Sequence, residues 1–221
     1  MLTIKIKNTG AACSLGVLIM RGVDVVTDAA AFFRKKTQTE ELLRIRYGGY
    51  GRDELKALHP MDVYIAYYKR FGSTYHVLPQ LESIIKGREI PSVLPPVTAM
   101  FMGELKNMQL TAGHDLDVLQ GALTLRRSSG GEEYTVLGGK VLKPVESDFL
   151  LADEKGIVSS ILRGPDDRTA ISAQTRNVLY TVYAPKGVDE GEVISHLRDI
   201  EASVRLYAGG AQTAEMRFFQ E

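Results

Sequence analysis

The sequence predicts an α+β (mixed α/β) fold, a largely antiparallel or mixed sheet flanked by helices, and three observations predict it. Apolar residues recur at helical spacing in several stretches of the first half, alternate with period two from Gly121 onward, and return to helical spacing after Asp189. A chain of 221 residues buries a substantial core as one large domain or two small ones. With no internal repeat and no low-complexity linker, one unit over 1–221 is expected, with 1–77 as a basic N-terminal portion.

The elements follow in order. Met1 to Lys7 alternates as a strand and has no continuous apolar stretch of the signal-peptide kind, so a cytoplasmic location is expected. Leu15 to Val26 predicts a second strand, interrupted by Gly16 and Gly22. Asp28 caps a helix through about Arg46, with Ala31, Phe32, Leu42, Leu43 and Ile45 at its apolar positions. Gly48, Gly49 and Gly51 end it in a flexible loop. The segment Tyr47 to Arg52 lacks the third glycine and the preceding strand of a dinucleotide fingerprint. Pro60 opens a helix from Met61 to Phe71, where Val63, Tyr64, Tyr67, Tyr68 and Phe71 form a stripe. That periodicity favours core packing for the tyrosines over stacking on unpaired RNA bases. A short helix from Pro79 to Lys86 and another from Val97 to Asn107 follow, the latter weakest at Gly103. Ala122 to Arg127 and Glu133 to Leu137 predict antiparallel strands joined by the turn Ser128 to Gly131. Phe149 to Ala152, Ile157 to Leu162 and Asn177 to Tyr183 are further strands. Asp189 to about Leu206 is an amphipathic helix, and Thr213 to Phe219 a final strand.

Composition narrows the function. No run of eighteen apolar residues exists, so no membrane partner is expected. Cys13 is the single cysteine, which excludes an intrachain disulfide and a cysteine-based metal cluster and suits a buried apolar position. Net charge is zero, against strong non-specific nucleic-acid binding. Its distribution is uneven: residues 1–90 hold 14 Lys and Arg against 9 Asp and Glu, and residues 91–221 hold 13 against 18. The basic excess gathers at Arg34, Lys35, Lys36, Arg44, Arg46, Arg52 and Lys56. These residues either contact RNA backbone or form the solvated face of an amphipathic helix.

Several chemistries drop out. Gly138-Gly139-Lys140 has Tyr134 and Val141 where a phosphate loop needs glycine and Ser or Thr. His59, His76, His114 and His196 lie in separate segments without ligand spacing, so neither a metal nor another cofactor is expected. No Gly-x-Ser-x-Gly elbow is present. His114 has a side chain able to orient water near neutral pH, or it caps the turn before Asp115-Leu116-Asp117.

The segments Val97-Thr98-Ala99, His114-Asp115-Leu116-Asp117, Gly130-Gly131 and Thr175-Arg176-Asn177-Val178-Leu179 occur in a particular order. In that order the stretch from Leu78 to Pro185 resembles the editing domain of the bacterial phenylalanyl-tRNA synthetase beta subunit, a fold also found free-standing. The resemblance implies a tRNA partner and hydrolysis of mischarged aminoacyl-tRNA in trans. The ester is already activated, so positioned water suffices without a protein nucleophile. It implies catalytic roles for His114 and Thr175 and substrate binding by Thr98, Asp166, Asp167 and Asn177. Arg34, Lys35, Lys36, Arg44, Arg46 and Arg52 are then the RNA-binding set. Ala99 stands where the family has asparagine, and His114 is adjacent to Asp115 where the family's histidine stands a few residues earlier. Those departures keep open a non-catalytic module binding RNA or an amino acid, and a small-molecule hydrolase reusing the pocket.

Overall fold

The computed structural model describes residues 2–24 and 26–221. Met1 and Val25, which fall within the first two predicted strands, lie outside the described residues. In chain order, β1 (Ile4–Ile6) and β2 (Cys13–Arg21) precede α1 (Ala29–Tyr47), α2 (Arg52–Lys56), α3 (Met61–Lys69), α4 (Val77–Ile85) and α5 (Pro95–Asn107). Then come β3 (Thr111–Asp115), β4 (Leu123–Arg127), β5 (Tyr134–Val136), β6 (Lys140–Leu142), β7 (Phe149–Ala152), β8 (Ile157–Ser160) and β9 (Gly164–Pro165). The chain closes with β10 (Asn177–Pro185), α6 (Glu190–Tyr207) and β11 (Gln212–Phe219).

Local chemistry sets the helix ends. The Asp28 carboxylate accepts the Ala31 amide at 2.8 Å and starts α1, as its position predicts. Asp189 and Glu192 form a reciprocal capping box at α6. Pro95 and Pro96 occupy the first turn of α5, where their missing N–H groups have no intrahelical partner to lose, and Met108 ends it in a left-handed conformation. The glycine segment after α1 is more ordered than a flexible loop. Glu54 accepts the Gly51 amide, and α2 follows with Leu55 buried.

Two principal sheets form. One has the order β1-β4-β7-β8-β9, with β1 and β4 parallel and the rest antiparallel; the other is antiparallel in the order β11-β2-β10-β3. The predicted pairing of the strands around Leu123–Arg127 and Glu133–Leu137 does not occur. β4 lies between β1 and β7, whereas β5 pairs with β6. Ser128 exchanges backbone bonds with Ser147 and Asp148, which prolongs the β4–β7 ladder. The carboxylate of Glu132 then clasps Ser129 and Arg126 and turns the chain away. Alternation marks a strand without naming its neighbour.

The β2 strand runs through the centre of the second sheet with both faces covered. Gly16 faces α6, and a Cβ there would come within 2.2 Å of Val193 Cγ1, so only glycine permits this close approach. On the opposite face, Tyr183 of β10 bonds Ser159 of β8, and one apolar cluster spans both sheets. The tyrosine stripe of α3 sits in that core. Tyr64 donates to the Tyr183 carbonyl, Tyr67 to Asp148 and Tyr68 to the Ile161 carbonyl, so each buried ring carries a satisfied hydroxyl. Cys13 is buried as expected, with its thiol pKa pushed up by desolvation. No helix among the described residues is long and apolar enough to cross a membrane.

Candidate functional site

A cavity of about 550 Å³ opens between α5, the free edge of β3 and the turn joining β8 to β9. Its walls are mostly apolar, with Met100 and Phe101 from α5, Leu110 before β3 and Ile171 from the loop before β10. Helical spacing places Val97, Met100, Phe101 and Glu104 along the same side of α5, and all four line the space.

Glu104 is the exceptional member of that stripe. It is 2 % exposed, and its Oε1 accepts the Thr111 amide at 3.1 Å. His76 Nε2 lies 3.9 Å from the same oxygen, while Oε2 has no hydrogen-bond partner among the described residues. Desolvation raises the carboxyl pKa from 4.5 to about 8 against the opposing effect of the Thr111 N–H. An incompletely paired buried carboxyl is expensive in a wall otherwise built for packing, and such groups concentrate where ligands bind.

Gly113 supplies a different feature. The Thr111 amide points to Glu104 and the Asp115 amide to the Thr169 carbonyl, both away from β10. Strand alternation puts the Gly113 N–H on that same free edge, where no acceptor meets it among the described residues. A Cβ at Gly113 would approach Ile171 Cδ1 to 2.8 Å and Met100 Sδ to 3.4 Å. Glycine therefore keeps this part of the cavity open.

The two serines of the far wall are committed to the core. Ser160 Oγ donates to the buried Asp148 carboxylate at 2.9 Å, and Ser159 bonds the Tyr183 hydroxyl. Asp148 has a raised pKa because of its own desolvation, offset in part by the Tyr67 hydroxyl. Behind β3, His196 lies between Asn107 and Thr111, with Thr111 Oγ1 donating to the Gln109 carbonyl. That network assigns the proton to Nε2, and desolvation lowers the pKa to about 4. Gly103, the expected weak point of α5, admits Ile200 and His196 of α6 at distances that no side chain would allow.

Of the catalytic and substrate-binding residues that the resemblance implies, His114, Thr175, Thr98, Asp166, Asp167 and Asn177, none lines this cavity. His114 is fully buried on β3, with Nδ1 bonded to Thr169 Oγ1 at 2.9 Å and Nε2 unpartnered. Desolvation, aided by Arg168, lowers its pKa to about 3, so it is neutral. Thr169 in turn donates to Asp166, which is buried; Asp167 is exposed, and its amide donates to the Thr135 carbonyl. Thr175 donates to Asp115 at 2.6 Å and Asn177 to Asp117 at 2.8 Å, so each ties the start of β10 to the end of β3. Thr98 stands apart. Its Oγ1 accepts the Val93 amide and fixes the loop entering α5, whose Val93 and Leu94 form part of the wall. The helical stripe held a signal for Glu104, namely a carboxylate at a position where the period demands an apolar residue. Nothing local marked Gly113, because its value depends on which strand edge is free.

The basic set divides as well. Arg34, Lys35 and Arg46 are exposed. Lys36 is buried between Glu40 at 2.8 Å and Glu89 at 3.2 Å, and Arg44 donates to the carbonyls of Ile84 and Arg88. Arg52 pairs with Glu82. Lys36 and Arg44 thus bind α1 to the α4 region, a task that charge counting cannot separate from a solvated face.

With the geometry in place, comparison with known proteins agrees with the resemblance. Residues 100–201 match the family model of the B3/4 domain, a span starting within α5 and ending within α6, so it includes β3 and the β8–β9 turn. The match starts and stops later than the stretch from Leu78 to Pro185. No curated protein matches. The fold is similar to an N-terminal fragment of the phenylalanyl-tRNA synthetase beta subunit from Pyrococcus horikoshii, at 12 % identity and a TM-score of 0.52. That alignment covers 96 % of this chain and 50 % of the fragment, so the chain spans half the length of its structural relative. Both findings support a domain like those of the phenylalanyl-tRNA synthetase beta subunit, with mixed α and β structure.

Proposed function

We propose that this chain receives the aminoacyl end of a tRNA in the cavity beside α5 and β3 and hydrolyses the aminoacyl ester there with a positioned water. The observation that carries the reading is the Gly113 amide on the free edge of β3, which meets no acceptor among the described residues and belongs to the wall of an apolar cavity that also holds a buried carboxyl. A water oxygen attacks the ester carbonyl, and the Gly113 N–H donates to the oxyanion that develops. The tetrahedral species then releases the ribose hydroxyl, which leaves with a proton originating from the water. Arg34, Lys35 and Arg46 are the cations available to the tRNA backbone, since Lys36, Arg44 and Arg52 are engaged within the fold. On this reading His114, Thr175, Asp166 and Asn177 hold β3, β10 and the 166–169 turn in register, and the protein works in the cytoplasm.

A second reading, binding without turnover, is favoured by the sealed position of His114 and the committed hydroxyls of Ser159 and Ser160. One panel of misacylated tRNAs separates the two. Deacylation of at least one substrate above its spontaneous rate supports the enzyme; saturable, salt-sensitive binding with no release of amino acid supports the module. Absence of both would overturn each, and activity on simple esters without RNA would point to a small-molecule hydrolase.

A further inference from the structure

We infer that Glu104 is the anchor for an ammonium group, so the cavity selects apolar ligands bearing a free amine and rejects their N-acylated or hydroxyl counterparts. This rests on reading the cavity as a ligand site and names the group that the site recognises. The wall around Glu104 is apolar, and no Lys or Arg nitrogen of the described residues lies within 4.0 Å of its carboxylate. Oε1 is held by the Thr111 amide, which leaves Oε2 as the acceptor still to be satisfied. A compact ammonium, a point charge with three rotatable donors, suits one remaining oxygen better than a guanidinium, whose fork needs two. An apolar substituent on the same ligand would then lie against Met100, Phe101, Leu110 and Ile171. The free α-amine of an aminoacyl ester meets both requirements. A carboxylate so buried repels anions and pays for its own desolvation only when a cation arrives.

The empty site holds a proton near neutral pH, and a cationic ligand displaces it. Among the described residues, Tyr64 and Tyr68 of α3, Tyr75 and His76 beside α4, Arg163 at the β8–β9 turn, Tyr183 of β10 and His196 of α6 are the other titratable or charged groups around Glu104. Burial pushes the four tyrosines up and both histidines down. Glu104 is thus the group at this cavity that titrates near pH 8.

The test measures binding of 2-phenylethylamine and of its neutral analogue 2-phenylethanol to the full chain by calorimetry and by amide shifts at Thr111 and Gly113. The amine is expected to bind at least tenfold tighter than the alcohol at pH 8.5. Its affinity should climb about tenfold per pH unit between pH 6 and 7.5, as deprotonation of the empty site becomes easier. Glu104→Gln keeps an oxygen for the Thr111 amide and should abolish both the preference and the pH dependence while leaving alcohol binding unchanged. Equal affinities for amine and alcohol, or a flat pH profile, would overturn the anchor and leave the cavity reading intact. Binding of neither compound would overturn both.

Discussion

Glu104→Gln also has a consequence for stability that follows from burial alone. The folded carboxyl holds its proton up to about pH 8, whereas the unfolded one releases it near the ordinary 4.5. Between those values the native state binds more protons than the unfolded state, so stability falls as pH rises, by about 1.4 kcal/mol per pH unit. Below pH 4.5 both states are protonated and the contribution is complete; above 8 both are ionised and it is lost. The gap between 4.5 and 8 sets an upper figure of roughly 5 kcal/mol for the whole loss, with water entering the cavity reducing it. Glutamine is neutral throughout and still accepts the Thr111 amide. The variant should therefore match the native protein within about 1 kcal/mol at pH 5 and exceed it by about 2–5 kcal/mol at pH 9. Urea unfolding of both proteins at unit pH intervals measures the difference, in which every other titrating group cancels. A difference that stays constant from pH 5 to 9 would refute the assignment of a buried, protonated carboxyl.

Substitutions elsewhere in the chain have expected outcomes of their own. Tyr67→Phe removes a donor from the Asp148 carboxylate and an acceptor from the Phe149 amide, and should cost about 2–3 kcal/mol. Tyr64→Phe, which loses a bond to a neutral carbonyl, should cost about 1 kcal/mol, and equal losses in chemical denaturation would argue against a charged acceptor. Gly16→Ala drives a methyl into Val193 between β2 and α6 and should destabilise by about 2–3 kcal/mol; thermal unfolding near that of the native protein would contradict the packing. Neutralising Arg34, Lys35 and Arg46 together should weaken tRNA binding and flatten its salt dependence without loss of stability, whereas Lys36→Met should lower stability by removing the nearest cation from the buried Glu40, which keeps only the Ile90 amide and the more distant Arg44 at 3.9 Å. Salt titrations of binding with parallel unfolding curves distinguish the two classes.

The histidines bound stability from the acid side. His196 and His114 have folded pKa values lowered to about 4 and about 3 by desolvation, from the ordinary 6.5. Their stabilisation is present above 6.5 and drains away as pH falls through 4 and then 3. His114 was chosen from sequence because an imidazole titrates near neutrality; burial removes that property. The same residue type has opposite chemistry on the two sides of a protein surface, and sequence does not state the side.

Much of the fold was legible. Asp28 and Asp189 marked helix starts, Pro60 opened a helix, and the α3 tyrosines kept the period of a buried face, while α5 begins two residues ahead of the expected Val97, at Pro95. The ordered segments from Val97 to Leu179 pointed to the family whose domain model covers residues 100–201. The hairpin drawn through Ser128 to Gly131 failed because strand neighbours are chosen by distant partners, here Ile4 to Ile6 and Phe149 to Ala152. Caps, turns and amphipathic stripes act over three or four residues, so the chain by itself determined the elements, their order and the resemblance they carry. The cavity belongs to the tertiary structure. Glu104 meets Thr111, Gly113 loses a partner, and His114 is sealed against Thr169 only once the free edge of β3 is set between α5 and the 166–169 turn. Those are contacts between segments whose separation in sequence hides them, and hydrogen-bond satisfaction across them, rather than residue type, decides which side chains remain free to act.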